Sequence, residues 1–355
     1  MKDHSIMISQ STKRKIQKIQ DIIGQDDGDR GMKALIVPDD LEQAAIHITS
    51  LLSSSETTTN EEDSINIKQH HVLVLSGFPC CVNDRPPTET DGPPGAIAIA
   101  KCVLALGRNV HVTIITDDCN RVVFEAAIGN NGNLHKTKTN TIHLETFPAD
   151  SNMKDEDHNR LKVIAEERCD LIIACERAGP GIDGKCYTMR GIDMNAKGLI
   201  APIHRIVDIA RNREKNLQQK TAKFIAIGDG GNELGMGKVI DRIRTSPKIP
   251  NGDLIGAVTS ADYLISASVS NWGGYALAGA CALVKSDIDK GKNLNYWLEI
   301  CVPELQHEIN LLERCVRVGC RDGVTGKMET TVDGMPLKTS LDCLQNIINV
   351  CQDDV

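Results

Sequence analysis

Short, nearly continuous apolar runs recur along the chain from residue 70 and alternate with longer segments of helical periodicity. The runs predict strands over 71–78, 110–116, 141–146, 170–175, 224–228 and 254–259. The first, second, fourth and fifth runs lack polar alternation, which is typical of strands covered on both faces of a parallel sheet. The intervening segments predict helices over 95–106, 120–128, 157–167 and 203–213. This alternation predicts an α/β fold: a doubly wound, mostly parallel sheet with flanking helices, in a Rossmann-like three-layer sandwich.

Residues 1–69 are predicted to form an N-terminal helical segment. One amphipathic helix is expected over Lys13–Ile23 and a second after Pro38. The stretch 53–64 is polar and of low complexity, so we expect an exposed loop there. The remaining residues, 70–355, form the predicted α/β domain.

Composition and charge narrow the classes of function. Among the 355 residues, 41% are hydrophobic and only 3% aromatic, which predicts an aliphatic core and few platforms for stacking bases. The net charge of −8 repels a phosphate backbone, so nucleic acid is not an expected partner. The sequence lacks an apolar run of about 18 residues, and we therefore expect no membrane span. Thirteen cysteines without a CxxC pair indicate a reducing compartment, either the cytosol or the mitochondrial matrix.

Ligands of an open parallel sheet bind outside the carboxyl ends of its strands, so the segments after the strands carry the candidate chemistry. After strand 71–78 a proline-rich loop leads into a helix at Gly95. The free N–H groups of this helix start could hold a carboxylate or phosphate. Asp91 is either a cap of that helix or a functional carboxylate.

Glu176 and Arg177 follow strand 170–175 and either pair with each other or face a ligand. The segment 179–185 matches the P-loop spacing, but Cys186 stands where a P-loop needs Ser or Thr as a magnesium ligand. We therefore do not predict a nucleotide site at this strand end.

Oxygen-bearing side chains are concentrated after strand 224–228. Asp229, Asn232 and Glu233 lie within five residues of a glycine-rich loop that fails the dinucleotide pattern. Such a cluster suits a hard divalent cation, Mg²⁺ or Mn²⁺, and the alternative is a polar turn that caps the next helix. Further along, Asn271 and Trp272 begin a helix with two glycines and are either ligand contacts or an ordinary helix start.

Four motifs together resemble those of the D-glutamate cyclase family, in the stand-alone form of its C-terminal catalytic-type domain. The resemblance extends over nearly the whole chain, from 28–31 to 323–326 and 332–334. The motifs are ETDGPPGA (89–96), ERAGPGIDG (176–184), GDGGNELGMGK (228–238) and SNWGGYAL (270–277).

The resemblance implies a lyase that converts D-glutamate to 5-oxo-D-proline and water. Asp229, Asn232 and Glu233 would hold the cation, with Asp183 or Glu176 as further ligands. Glu176, Asp229 and Glu233 are the candidate catalytic residues, and Glu176 is an alternative general base. The candidate substrate-binding residues are Asp91, Gly95, Arg177, Arg190, Asn271 and Trp272.

Two other functions remain open from the sequence. One is a different metal-dependent enzyme that acts on a small amino or carboxylic acid. The other is a non-catalytic binder of small ligands. A homo-oligomer is compatible with the cyclase hypothesis and with both alternatives.

Overall fold

A six-stranded, all-parallel sheet forms the centre of the computed structural model, which describes residues 7–26, 30–53, 69–129, 141–217 and 221–353. The strand order is β3-β2-β1-β4-β5-β6. The strands are β1 (His70–Gly77), β2 (Val110–Asp117), β3 (Ile142–Phe147), β4 (Leu171–Arg177), β5 (Lys223–Gly228) and β6 (Tyr263–Ser266). The predicted loop 53–64 lies outside the described residues from 54 onward.

Twelve α-helices occur in the described residues. They are α1 (Gln10–Ile23), α2 (Asp40–Ser53), α3 (Pro93–Leu106), α4 (Arg121–Ile128), α5 (Asp155–Glu167), α6 (Arg205–Leu217), α7 (Ile240–Thr245), α8 (Gly252–Ile255), α9 (Ser270–Ile288), α10 (Leu294–Cys301), α11 (Leu305–Arg317) and α12 (Leu337–Gln352). Among the described residues, none of these helices combines the length and the apolar character needed to cross a membrane.

Alternate residues of the strands point into two separate cores, which confirms the predicted three-layer α/β fold. Val72 and Val74 of β1 pack in the core that contains α3 and α9, whereas Leu73 and Leu75 face the core that contains α5 and α6. Helix α9 is buried from Ser270 to Lys285. It contacts α1, α2, α3, α10 and α12, so the two N-terminal helices share the main core.

The strand predicted over 254–259 is wrong. Helix α8 occupies the start of this segment, and the last strand of the sheet is β6 instead. The backbone N–H of Ala257 donates to Gly231 O (3.0 Å), and that of Val258 donates to Pro180 O (2.9 Å). The segment therefore satisfies its hydrogen bonds with two loops rather than with a neighbouring strand.

The strand order reverses between β1 and β4, which creates the crevice where doubly wound folds bind ligands. The two strands are in register up to Ser76 and Cys175, after which Gly77 pairs with Arg177. The irregularity places Glu176 at the strand end without a ladder partner on β1.

Candidate functional site

A cavity of about 230 Å³ lies at the carboxyl ends of β1 and β4, where Phe78 and Glu176 contribute to its wall. Its wall is unusually acidic, because carboxyl groups reach it from four separate parts of the chain. The acidic residues that line it are Glu89, Glu176, Asp229, Glu233 and Asp333. Asp91 lies beside the cavity, with a carboxylate oxygen within 4.8 Å of those of Asp229 and Asp333.

Glu176 is held in a strained conformation at the end of β4. Its backbone φ is 45°, a left-handed value that costs a non-glycine residue about 1–3 kcal/mol. The side chain is buried and its Oε2 accepts a hydrogen bond of 2.6 Å from Ser270 Oγ. Strain of this kind is concentrated at functional sites, where the surrounding structure maintains it.

The loop after β5 fixes Glu233 by hydrogen bonds from its own backbone. Glu233 Oε1 accepts from Gly230 N (2.6 Å) and Oε2 accepts from Gly231 N (2.7 Å). Asn232 Nδ2 donates to Tyr187 O (2.8 Å), which joins this loop to the segment after β4. Both side chains are buried, so their positions are set by the fold.

Arg30 brings a positive charge into the acidic cavity. Its Nη2 lies 3.0 Å from Asp229 Oδ2, and its Nη1 donates to Asp333 Oδ2 at 2.7 Å. The backbone N–H of Arg30 donates to Asp26 Oδ1 (2.7 Å), which fixes the segment that carries it. Asp333 also has a left-handed φ of 52°.

Asp91 and Asn271 cap two helix starts reciprocally. Asp91 accepts hydrogen bonds from the backbone N–H groups of Ser270 and Asn271 at the start of α9, both at 2.8 Å. Asn271 Oδ1 accepts from Gly92 N (2.9 Å) and Gly95 N (2.8 Å) at the start of α3. The N–H of Gly95 is therefore not free to hold a carboxylate or phosphate.

Burial raises the pKa of the carboxyl groups around the cavity. It raises the pKa of Asp229 to about 8, although Arg30 opposes the shift, and that of Asp91 to about 7, with repulsion from Asp333 adding to it. Burial, with smaller contributions from neighbouring carboxylates, also raises the pKa of Glu89, Glu176 and Asp333 well above the usual range. Because like charges this close cannot all ionise without compensation, the cluster retains protons or takes up cations.

Within the described residues, two groups of three carboxyl residues could hold a metal ion, each with ligand atoms within 4.8 Å of one another. One contains Glu176, Asp229 and Glu233, and the other contains Asp91, Asp229 and Asp333. Asp229 is common to both, and among the described residues its buried Oδ2 has the Arg30 guanidinium as a charge partner at 3.0 Å. An all-oxygen donor set of converging, buried carboxylates fits a hard divalent cation.

Arg177 and Asp183 are among the predicted site residues that lie away from the cavity. Arg177 is fully buried and does not pair with Glu176: its Nη1 donates to Asp117 Oδ2 and its Nη2 to Ala201 O (3.0 Å). Asp183 is exposed and accepts a hydrogen bond of 2.6 Å from Tyr187 OH. Neither side chain lines the cavity.

Arg190 lines the cavity, whereas Trp272 does not. Arg190 lines the cavity from an exposed position, and its Nη2 donates to Val324 O at 3.2 Å. Trp272 is buried in the core, where its Nε1 donates to Ser340 Oγ at 3.0 Å.

Sequence reasoning assigned no role to three residues of this wall: Arg30, Glu89 and Asp333. Arg30 and Asp333 do not follow a strand of the sheet, and Glu89 lies in the loop after β1, where the strand-end rule favoured Asp91. All three lie in segments that carry the family resemblance, and this resemblance was the feature of the sequence that could have identified them as site residues. The tertiary structure brings them to the same cavity from positions more than 50 residues apart.

The chain matches the family model described as D-glutamate cyclase-like, C-terminal, over residues 19–348. It is also 31% identical over 368 aligned positions to the human protein named D-glutamate cyclase, mitochondrial. The match covers 98% of this chain and 53% of the human protein, so the chain spans about half the length of that relative. On these grounds the chain belongs to the D-glutamate cyclase-like C-terminal family.

Proposed function

We propose that the chain is a lyase whose cavity converts D-glutamate to 5-oxo-D-proline and water. The observation that carries the proposal is the convergence of buried carboxyl groups, with raised pKa values, on one small cavity of a D-glutamate cyclase-like chain. Pockets for drug-sized ligands are about 300–1,000 Å³, so a cavity of about 230 Å³ favours a smaller ligand such as an amino acid.

The charges of the cavity suit the proposed substrate. Its ammonium group complements the carboxylates, whereas its two carboxylates need positive partners. Arg30 lies inside the cavity and Arg190 lies at its exposed edge. We propose that these two arginines orient the substrate carboxylates, which favours the folded conformation needed for ring closure.

The acidic cluster would also hold a divalent cation. Asp229 and Glu233 provide the carboxylate ligands, with Asn232 as a neutral oxygen donor on the same loop. A bound cation would act as a Lewis acid that makes the substrate side-chain carboxylate more electrophilic.

Ring closure requires two protons to leave the amino nitrogen and to depart with the side-chain oxygen as water. We assign this proton transfer to Glu176, whose pKa burial raises well above the usual range of a carboxyl group. Its Oε2 is oriented by the Ser270 hydroxyl, so the other oxygen is the one proposed to exchange protons with the substrate. In its ionised form the group takes a proton from the ammonium, and in its protonated form it returns one to the leaving oxygen.

The test is an assay for 5-oxoproline from D-glutamate and from L-glutamate, with and without a chelator. We expect turnover of D-glutamate, its loss with chelator, and strong losses in Glu176→Gln and Asp229→Asn. The matched control is Asp183→Asn, because Asp183 is exposed and lies outside the cavity. Turnover that persists in the two cavity variants, at normal folding, would contradict the assignment.

A thermal-shift titration with Mn²⁺ separates binding from chemistry. A ligand that binds only the folded state stabilises it by about 2.7 kcal/mol at a hundred times its dissociation constant. A Mn²⁺ response that Asp229→Asn abolishes, without turnover of any glutamate isomer, would instead support the non-catalytic binder.

A further inference from the structure

Adjacent cysteines stand at the wall of the cavity, and neither the family match nor the proposed function gives them a role. Cys80 lines the cavity next to Glu89, and Cys81 follows it in the loop after β1. Their Sγ atoms lie 3.9 Å apart. Both side chains are partly exposed, as is that of Cys119, whereas the other ten cysteines are buried.

The loop holds the two thiols in different environments. The backbone of Cys81 is fixed at both polar groups, since its N–H donates to Pro87 O (3.0 Å) and its carbonyl accepts from Asp84 N (2.9 Å). The S–H···S contact with Cys80 lowers the pKa of Cys81, and the nearby charge of Arg321 lowers it further. The pKa of Cys80 is raised by the same contact and by burial. We take Cys81, whose thiolate Arg321 would stabilise, as the attacking thiol and Cys80 as its partner; the reverse order gives the same disulfide.

We propose that Cys80 and Cys81 form a reversible disulfide on exposure to a peroxide. The Cys81 thiolate attacks one peroxide oxygen, the O–O bond breaks, and the second oxygen leaves as water after protonation. The sulfur of Cys80 then displaces the hydroxyl from the sulfenic acid, which forms the S–S bond and releases a second water. The two thiols lose two electrons in total and the peroxide gains them.

Geometry predicts that this disulfide is easily reduced. The two sulfurs must approach from 3.9 Å to about 2.05 Å. Adjacent Cα atoms are about 3.8 Å apart, below the usual range of about 4.4–6.8 Å for a disulfide, so the bond is strained. Strained, accessible disulfides have less negative reduction potentials and are the labile ones. The modification is therefore expected to be reversed by mild dithiol reductants, and it does not depend on the proposed function.

The experiment treats the full chain with hydrogen peroxide, blocks free thiols after denaturation, and maps the label by mass spectrometry. We expect the peptide with Cys80 and Cys81 to lose two hydrogens and to take up no label. It should take up two labels after reduction with dithiothreitol. The ten buried cysteines provide the internal control, because they should remain labelled throughout.

Single variants distinguish the pair from general oxidation. Cys119→Ser, the matched control at the third partly exposed cysteine, should behave like the parent chain. Cys80→Ser should leave Cys81 to gain oxygen or to form a mixed disulfide, with no internal loss of hydrogen. The peroxide-treated parent chain by itself tests the proposal. Labelling of both Cys80 and Cys81 before reduction, or a gain of oxygen at either, would overturn it.

Discussion

The buried ion pair between Arg177 and Asp117 gives a prediction that separates a structural role from a ligand-binding one. Both side chains have no solvent exposure. Arg177 also donates to two backbone carbonyls, Gly77 O at 3.2 Å and Ala201 O at 3.0 Å. In Arg177→Met, Asp117 keeps its bonds from Ala201 N (2.6 Å) and Asn120 Nδ2 (2.9 Å) but loses its counter-charge.

Removal of one partner from a buried pair costs about 3–5 kcal/mol, because the remaining charge is left uncompensated. We therefore expect Arg177→Met to lower the free energy of unfolding by that amount, measured by urea denaturation. Asp117→Asn added to Arg177→Met removes the orphaned charge and keeps an acceptor for Ala201 N. The loss of unfolding free energy in the double variant should thus be smaller than the sum of the losses in the two single variants, by about 0.5–3 kcal/mol.

The matched control is Arg190→Met at the edge of the cavity. Arg190 is exposed, so its replacement should change the free energy of unfolding by less than about 0.5 kcal/mol while it weakens binding of D-glutamate. An Arg177→Met chain with unchanged stability and weakened binding would refute the structural assignment and restore Arg177 as a ligand contact.

Three further predictions follow from the cavity and its supporting helices. Because burial raises the pKa of Asp229 from 3.8 to about 8, the folded chain retains a proton that the unfolded chain releases. In chelator, the unfolding temperature should fall as the pH rises between those values, and Asp229→Asn should flatten this slope. Arg30→Gln removes the guanidinium that lies 3.0 Å from Asp229 Oδ2 and would compete with Mn²⁺ for this carboxylate. Mn²⁺ should therefore raise the unfolding temperature of the variant more than that of the parent chain. An equal or smaller increase would contradict this competition between Arg30 and Mn²⁺. Gly274→Ala places a Cβ 2.8 Å from Gly95 Cα, which overpacks the contact between α3 and α9. Urea denaturation should show a free energy of unfolding lower by about 1–3 kcal/mol. An unchanged midpoint would contradict the close approach of the two helices.

The apolar runs alone located five of the six strands to within a few residues. Their buried, uninterrupted composition also indicated a parallel sheet. The error at 254–259 arose because a short apolar run has no periodicity that identifies it as a strand, and Leu254 and Val258 of this segment are in fact exposed. Hydrogen bonds to Gly231 and Pro180 decided its structure, and those partners are distant in sequence.

The candidate site was predicted in part. The strand-end rule selected Glu176, Asp229, Asn232 and Glu233 as candidates, and all four line the cavity, because carboxyl ends of neighbouring parallel strands meet at one edge of the sheet. The rule could not assign side-chain direction, and so it grouped Arg177 with its neighbour Glu176. The left-handed φ of Glu176 interrupts the extended strand, and the Arg177 side chain reaches Asp117 at the end of β2.

The sequence by itself determined the α/β class, the family resemblance and the strand ends at which acidic side chains occur. It did so because burial on two faces and glycine-rich turns leave local signatures. Only the tertiary structure decided which charges share the cavity. Arg30 precedes the first strand and Asp333 follows the last one, and the ion pairs of Arg30 with Asp229 and Asp333 form only when the chain folds around the sheet. The raised pKa values follow from the same closure, since desolvation exists only in the folded chain.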